Sequence, residues 1–341
     1  MLPELEGKFN LLTVDGRNLY LDQKLDDREK IAKYFQNQPC FLHVLSPKTG
    51  GKTVFTKILQ DYFLNIFHHV IIGDLVRQYH SALIENSGEI LEFVRQNYNG
   101  IVELNSCNEI IKNRNNFAIS TVSIPSELIL ELIKFEIFKH PNKSYILDGF
   151  SRNVEQVYIS KNLSEILNLH NYRNIFLNIN TDTNLIKFKL DRRMICKLCK
   201  SPKYYQISPS TIVKFDKDSG NFVMYCDNKN CSGYGVEELV RKEGDEDGFQ
   251  KISNRIANDN ELMKISKKVN FDNSIEVNCL VNAGSETYQE YELIKSTAFV
   301  NKNNIVEFKT DKFVLENEQG IKCNVVEMVV LVAEFLNKLL K

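Results

Sequence analysis

The chain has 341 residues, a formal net charge of −1 and 43% hydrophobic residues. This content suffices for a large buried core, so we expect one main domain with insertions. The balanced charge gives no overall basic field, which argues against nucleic acid as a partner. The chain begins without a basic head followed by an apolar stretch, and its longest apolar patch, 325–336, is too short to span a bilayer. These features predict a cytoplasmic protein.

The predicted elements alternate between strands and helices over most of the chain. Residues 1–38 are expected to form an N-terminal extension with a short helix at 26–35. Apolar runs predict strands at 40–45, 144–148 and 174–179. Helical spacing of apolar residues predicts helices at 54–63, 74–84, 89–98, 126–138, 153–167, 182–193 and 247–268. This alternation favours a parallel α/β sheet that binds its ligand at the carboxyl ends of the strands.

The most informative motif is the run SPKTGGKT at 46–53, between the first strand and the first core helix. It matches the phosphate-loop pattern G-x-x-x-x-G-K-[ST], except that Ser46 takes the place of the first glycine. Backbone amides of such a loop converge on an anion, and Lys52 reaches the β- and γ-phosphates. The hydroxyl of Thr53 is then placed to ligate Mg²⁺. The alternative is a basic surface turn.

Four of the eight cysteines form two close pairs, Cys196 with Cys199 and Cys226 with Cys231. In a reducing compartment such pairs indicate a metal rather than disulfides, and two knuckles close a tetrahedral Cys₄ site. The residues between the pairs have the pattern of a β-hairpin. We therefore predict a small insertion held by structural Zn²⁺, with iron or metal-free thiols as alternatives. Because a full Cys₄ shell leaves no open position, this metal is not expected to be catalytic.

An acidic residue at a strand end is a second candidate for the site. Asp148 ends the strand at 144–148 and is followed by Gly149 and then by Arg152. A carboxylate in this position can hold Mg²⁺ through water, and Arg152 is close enough to bind a second phosphate. The alternative is a helix cap with a solvated arginine.

Several segments, in order, resemble the adenylate kinases and their nucleoside monophosphate kinase relatives. The phosphate loop resembles the glycine-rich loop of that family. The run IGDLVR at 72–77 resembles its T-G-D-x-x-R segment. The run LDGFSR at 147–152, followed by Gln156, resembles its L-D-G-F-P-R-x-x-x-Q segment. Together with the segments around the cysteines, the resemblance covers roughly residues 40–268.

The segments on both sides of the cysteine insertion resemble the segments that border the lid in this family. The run LDRR at 190–193 is similar to the arginine pair that opens the lid. Arg241 with Asp245 and Asp247, followed by Arg255, is similar to the segment that closes it. The insertion itself falls where zinc-bearing lids of this family occur.

The resemblance implies an α/β fold of the P-loop NTPase type. The implied fold is a parallel sheet flanked by helices, with an NMP-binding helical insertion and a small zinc-stapled β lid. The expected parts of the chain are the N-terminal extension (1–38), a core (39–193) with the NMP-binding insertion at about 74–140, the zinc lid (194–240), and the remaining core (241–341) with an insertion near 270–310.

The resemblance also implies a reaction, the transfer of the ATP γ-phosphoryl group to AMP with Mg²⁺ bound to ATP. It implies catalytic roles for Lys52, Arg192, Arg193, Arg241, Arg255 and Asp148. It implies nucleotide-binding roles for Gly50, Gly51, Lys52, Thr53, Gly73, Asp74, Arg77, Gly149, Arg152 and Gln156. In these sets Arg77 and Arg152 would clamp the acceptor phosphate, since planar guanidinium groups bind phosphate oxygens in pairs. Gln156 would read the acceptor base, and the lid arginines would close over the transferred group.

Two segments compete for the last strand of the core sheet, 277–284 and 313–317. The second is favoured because a strand followed directly by a long helix, predicted at 324–340, is the ending found in the family. This choice makes 270–310 an insertion that, with the N-terminal extension, would dock a protein partner.

Two functions are left open. One is an active nucleoside monophosphate kinase, and the other is a degenerate, inactive nucleotide-binding homologue that acts as an interaction module in a larger assembly. A zinc ribbon that binds nucleic acid is a weaker third interpretation, because aspartates accompany the lysines of the hairpin and the chain has no net positive charge. The acceptor base and the oligomeric state are not predicted.

Overall fold

A computed structural model of the protein describes residues 9, 11, 13–25, 27–64, 66–113, 124–169, 172–242, 244–245, 248–270, 273–282 and 294–340. The predicted nucleotide-binding, catalytic and metal-binding residues all lie within these ranges. Asp247, which belongs to the segment predicted to close the lid, lies outside the described residues.

In the described residues, helices separate the strands of the central sheet, as the sequence predicts, and two later segments consist of successive strands. The strands are β1 (Cys40–Leu45), β2 (Phe67–Ile71), β3 (Ser144–Asp148), β4 (Arg173–Asn180), β5 (Arg193–Ile195), β6 (Pro202–Tyr204), β7 (Val213–Asp216), β8 (Asn221–Met224), β9 (Val240–Arg241), β10 (Ser274–Asn278), β11 (Leu280–Asn282), β12 (Ile294–Val300), β13 (Val306–Lys312), β14 (Val314–Glu316) and β15 (Lys322–Val325). The helices are α1 (Val14–Lys24), α2 (Arg28–Asn37), α3 (Lys52–Tyr62), α4 (Ile72–Glu85), α5 (Glu89–Asn97), α6 (Leu104–Lys112), α7 (Ser126–Lys139), α8 (Val154–Leu169), α9 (Thr183–Arg192), α10 (Gly248–Val269) and α11 (Met328–Leu339).

The central sheet has five parallel strands in the order β10-β4-β1-β3-β2. Strands β1 and β3 are buried along their whole length, which explains their continuous apolar sequences. Alternate side chains of β1 enter two cores: Leu42 packs with the N- and C-terminal helices, and Phe41 packs with α4, α5 and α7. A parallel five-stranded sheet flanked by helices fits a P-loop-type fold.

The N-terminal helices are part of the core. Helix α1 contacts α3 and α11. Large buried side chains of α1, α2 and the turn between them belong to the same cluster as α3 and α11: Tyr20, Leu21, Leu25, Ile31 and Phe35. Because each of these side chains is almost fully removed from water, both helices are held to the sheet by apolar burial. The described part of the predicted extension is therefore packed along the core.

The last strand of the central sheet is β10, which pairs in parallel with β4. The expectation that 313–317 forms this strand is wrong, because β14 pairs antiparallel with β15 in a separate three-stranded sheet. Strand β10 is an edge strand in which Val277 is the fully buried residue, so its sequence lacks the apolar run of a central strand. Helix α11 begins at Met328, later than the predicted 324, because 322–325 forms β15.

The segment that carries the paired cysteines forms small antiparallel sheets. Strand β5 pairs with β6 and β9, and β7 pairs with β8 as the hairpin that the sequence predicts. The ends of this segment lie next to each other because β5 and β9 are neighbours. Among the helices of the described residues, none has the length and apolar character needed to cross a membrane.

Candidate active site

The loop between β1 and α3 has a backbone suited to an anion. Gly51 precedes α3 with a φ of 104°, a conformation that favours glycine. A Cβ on Gly50 would collide with the hydroxyl of Ser46, the residue that replaces the first glycine of the motif. Thr49 also has a left-handed φ, 67°, which strains a β-branched residue. The loop thus holds an unusual backbone at the N-terminus of α3, where free amides and the helix dipole favour negative charge.

Lys52 and Asp148 form an ion pair beside this loop. Lys52 is the first residue of α3, and its Nζ lies 3.3 Å from Oδ1 of Asp148. Nε2 of His69, on β2, lies 3.6 Å from Oδ2 of Asp148. Burial alone would raise the pKa of Asp148, but Lys52 and His69 hold that pKa well below its usual range. Sequence reasoning missed His69 because it lies on a neighbouring strand and belongs to no local motif.

Arg77 and Asp74 lie together at the start of α4, directly after β2. The Arg77 guanidinium donates a hydrogen bond to the Asp74 carboxylate one turn earlier. A Cβ on Gly73 would lie 3.6 Å from Nη1 of Arg77, so the guanidinium lies over that glycine. The Arg77 side chain is 55% exposed and that of Asp74 is 58% exposed. This pair is therefore accessible to an anion that arrives from solvent.

The segment after β3 is built around Gly149 and Arg152. Nε of Arg152 donates to the Gly149 carbonyl at 2.9 Å, and a Cβ on Gly149 would collide with the guanidinium. Gln156 is buried, and its Oε1 accepts a hydrogen bond of 2.8 Å from the backbone N–H of Arg152. Gln156 therefore holds this turn in place, a role that the sequence did not predict.

Three of the predicted cations act on one carboxylate that sequence reasoning missed. Oδ2 of Asp259, on α10, accepts a hydrogen bond of 3.0 Å from the backbone N–H of Lys48 in the phosphate loop. Burial raises the pKa of Asp259, and the nearby charges of Arg255, Lys52 and Arg152 oppose that rise. These cations come from α10, α3 and the turn after β3, and all three act on a carboxylate that is hydrogen-bonded to the phosphate loop. The sequence feature that could have indicated Asp259 is its four-residue spacing from Arg255, which places both residues on one helix face.

A buried ion pair joins the two ends of the cysteine-bearing segment. Arg193 donates Nε and Nη2 to the two carboxylate oxygens of Asp245, each at 2.6 Å, and both side chains are buried. Nζ of Lys48 lies 3.3 Å from Oδ1 of the same carboxylate and 3.2 Å from the carbonyl of Gly244. The base of the segment is thereby attached to the phosphate loop.

The remaining two predicted arginines bind groups of the protein. The guanidinium of Arg192 lies 3.9 Å from the centroid of the Phe188 ring. Nη1 of Arg241 donates to the backbone carbonyl of Asp191 at 2.8 Å. The roles implied for these two arginines at a transferred phosphoryl group stay predictions.

The four paired cysteines lie in one cluster. Their Sγ atoms all lie within 4.8 Å of one another, with Cys196 3.9 Å from Cys231 and Cys199 3.7 Å from Cys226. A tetrahedral ion with bonds of about 2.3 Å places its sulfur ligands about 3.8 Å apart. Burial opposes ionisation of Cys199, but hydrogen bonds from Ser201 help to lower the pKa of its thiol to about 6. The four thiols are therefore able to hold a metal ion.

An open groove of about 400 Å³ lies beside the phosphate loop at the carboxyl ends of β4 and β10. Amide side chains are prominent in its lining: Asn180, Asn260, Asn278 and Asn317. Thr181 also lines the groove, and its Oγ1 donates a hydrogen bond of 3.1 Å to the carbonyl of Gly50. The groove is therefore continuous with the loop on the side away from β3.

Comparison with known proteins gives partial matches of one kind. Over 108 residues the chain is 29% identical to an adenylate kinase of Hydrogenobaculum sp. (strain Y04AAS1), which covers 31% of this chain and 50% of that protein. Over 90 residues it is 32% identical to an adenylate kinase of Mycoplasma mobile (strain ATCC 43663 / 163K / NCTC 11711), which covers 26% of this chain and 38% of that protein. The matches support a kinase-like relationship. They span half or less of each relative's length, and no family model matches the chain.

Proposed function

We propose that the protein is a nucleoside monophosphate kinase that transfers the γ-phosphoryl group of ATP to AMP, giving two ADP, with Mg²⁺ bound to the donor. The observation that carries this proposal is the position of Lys52 at the phosphate loop, 3.3 Å from Asp148, with the charges of Arg152 and Arg255 acting on Asp259 beside the same loop. Phosphoryl transfer depends on such concentrated positive charge, because negative charge spreads over the oxygens of the transferred group. The partial matches to two adenylate kinases support the same reaction.

The donor phosphates would bind at the N-terminus of α3. The amide of Gly51 would donate to them, and that of Gly50 would first have to release the carbonyl of Pro47, to which it donates at 2.9 Å. Lys52 would exchange its contact with Asp148 for the β- and γ-phosphates. The amide-lined groove next to the loop would take the base of ATP.

Mg²⁺ fits the residues at this edge of the sheet. The buried carboxylate of Asp148 is a hard oxygen donor held in its charged form, and the exposed Thr53 follows Lys52 on α3. When bound, the ion neutralises part of the charge on the donor phosphates. The chain's own task is to fix the donor and the acceptor in line and to keep water away from them.

The acceptor would bind on the β2 and β3 side of the loop. Arg77 and Arg152 present exposed guanidinium groups at the ends of these neighbouring strands, which suits a phosphate held by two paired contacts. Gly73 and Gly149 would let the acceptor approach the backbone closely. Because Gln156 is already engaged with the backbone of Arg152, its Nε2 would be the part that reads the acceptor base.

The segment 194–240 would act as a lid stapled by Zn²⁺ at Cys196, Cys199, Cys226 and Cys231, a donor set that suits this ion. Arg193 and Arg241 at its base, with Arg192 and with Arg255 on α10, would close over the transferred group and exclude water. The phosphates would compete with Asp245 and Asp259 for the cations that these carboxylates now hold. Nucleotide binding would therefore rearrange ion pairs that already exist in the protein.

The helical segment between β2 and β3 would be the acceptor-binding insertion, and the segment between β10 and α11 would be a second insertion in the core. A protein partner would dock on this second insertion or on the N-terminal helices.

The proposal is tested by a panel of acceptors. Purified protein is incubated with Mg·ATP and each of AMP, UMP, CMP and GMP, and the nucleoside diphosphates formed are quantified. We expect turnover with AMP. Turnover with another acceptor alone would keep the mechanism and contradict the assigned substrate. Retained ATP binding without turnover on any acceptor would contradict the kinase and favour an inactive nucleotide-binding module.

A further inference from the structure

A second group of metal-ligating side chains lies at the amino-terminal edge of the central sheet, opposite the phosphate loop. His68 is the second residue of β2, and Glu136 and His140 lie one helical turn apart at the end of α7. One ligating atom from each residue lies within 4.8 Å of the other two. The cluster is separate from the cysteines and from every residue placed at the candidate active site.

The two imidazole rings direct the same nitrogen toward one carboxylate oxygen. Nε2 of His68 lies 2.7 Å from Oε2 of Glu136, and Nε2 of His140 lies 3.8 Å from that oxygen. The rings stack with their centroids 3.9 Å apart and an interplanar angle of 27°. The hydroxyl of Tyr145, on β3, donates to the carbonyl of His140 and so holds the backbone of that residue.

We propose that His68, Glu136 and His140 form a site for a divalent transition metal, with Zn²⁺ as the ion of choice. Two imidazoles and a carboxylate are the donor set that suits borderline ions such as zinc. A tetrahedral ion with bonds of about 2.1 Å needs its ligand atoms about 3.4 Å apart. The two distances in the cluster, 2.7 Å and 3.8 Å, lie on either side of that spacing, so an ion would replace the hydrogen bond between His68 and Glu136 and turn the stacked rings toward itself.

The surroundings leave room for a further ligand. The side chains of His68, Glu136 and His140 are 25%, 14% and 43% exposed, so water can complete the coordination shell. Lys139 and Lys143 bring positive charge near His140 and weaken the attraction for a cation, although Lys139 is paired with Glu89 at 3.1 Å. The affinity for a metal ion therefore depends on the three direct ligands and not on the charges of the surrounding residues.

A metal at this site would connect the strand that enters the helical segment with the helix that leaves it. Strand β2 is an edge strand, and α7 is the last helix before β3. Binding to the folded protein and not to the unfolded chain would stabilise this connection in a concentration-dependent way. The inference does not depend on the proposed kinase activity.

The test counts zinc in three proteins. Wild type, His140→Ala and His80→Ala are brought to equilibrium by dialysis against the same free Zn²⁺ concentration, and zinc per chain is measured by atomic emission. Any zinc held by the cysteines is common to all three and cancels. We expect His140→Ala to hold one equivalent less than wild type, and the control His80→Ala on α4 to match wild type.

A second readout uses the thermal midpoint of unfolding. Added Zn²⁺ should raise the midpoint of wild type and of His80→Ala more than those of His140→Ala and Glu136→Gln. The hydrogen bonds of the His140 backbone survive its side-chain replacement, so the variant should fold. Equal zinc content and equal midpoint shifts in wild type and His140→Ala would overturn the proposal.

Discussion

At the scale of the residue, the central feature is a carboxylate that holds a lysine in place. Asp148 contacts Lys52 through one oxygen and approaches His69 through the other, and it is buried at the end of β3. A charged group in such a place is stable only because its partners compensate for the loss of water. In the proposed function, the pair would hold Lys52 beside the phosphate loop before any phosphate binds, which would lower the cost of ordering that side chain.

Replacement of Asp148 by Asn should remove both the partner of Lys52 and the proposed support for Mg²⁺. We expect kcat for ADP formation to fall by about 100-fold or more, the scale on which one preorganised electrostatic contact acts. Initial rates at saturating nucleotides measure this. Asp311→Asn, an exposed aspartate on β13, is the matched control and should keep its rate. An unchanged kcat in Asp148→Asn would remove this residue from the mechanism.

At the scale of the element, local patterns predicted most of the core because its strands and helices carry strong local signals. The fully buried run of β1 and the glycines before α3 are readable from neighbouring residues alone. Helix α1 was missed because its large buried side chains are only Tyr20 and Leu21, and two adjacent residues show no helical period. The region of β10 was a candidate for the last strand, as 277–284, but 313–317 was favoured for its position before the long helix, and the pairing of β10 with β4 is a long-range contact that no local pattern encodes.

Site residues divide in the same way. Lys52, Asp148 and Arg152 lie in motifs whose spacing is a local property of the chain. His69 and Asp259 reach the site only through the arrangement of strands and helices, so no local sequence motif indicates them.

The base of the cysteine-bearing segment should depend on its buried ion pair. Arg193→Met leaves Asp245 buried with only Lys48 as a charged partner on its side chain among the described contacts. We expect the free energy of unfolding to fall by about 3 kcal/mol, since the buried charge of Asp245 loses its bidentate partner and keeps only Lys48 among its described ion pairs. Urea denaturation followed by circular dichroism measures this change. Arg192→Met, a partly exposed neighbour that lies on Phe188, is the control and should lose much less; equal losses would contradict the assignment.

At the scale of the whole molecule, charges on two distant helices act on one half-buried carboxyl group. Glu327 precedes α11, and the charges of Lys189 on α9 and Arg17 on α1 act on it. Burial raises the pKa of Glu327 from its usual 4.5 to about 7, although both cations oppose the rise. The ionisation of Glu327 is therefore linked to the stability of the folded protein.

The sign of the resulting pH dependence follows from the raised pKa. Between about pH 4.5 and pH 7 the folded protein keeps a proton on Glu327 that the unfolded chain has lost, so this group lowers stability as pH rises through that window. Glu327→Gln should therefore gain stability relative to wild type between pH 5 and pH 8, as measured by urea midpoints at about these two values. Glu318→Gln, at an exposed position, should follow wild type. A constant difference between Glu327→Gln and wild type at both pH values would show that the carboxyl is not perturbed.

The proposed function depends on whether the phosphate loop supports transfer of a phosphoryl group. The most direct measurement follows ADP formed from Mg·ATP and AMP by wild type, by Lys52→Met and by Lys33→Met, an exposed control on α2. We predict two ADP for each AMP consumed by wild type, near-complete loss in Lys52→Met and full activity in Lys33→Met. ADP formation that persists in Lys52→Met, or that is absent from a wild-type protein that binds ATP, would contradict the account.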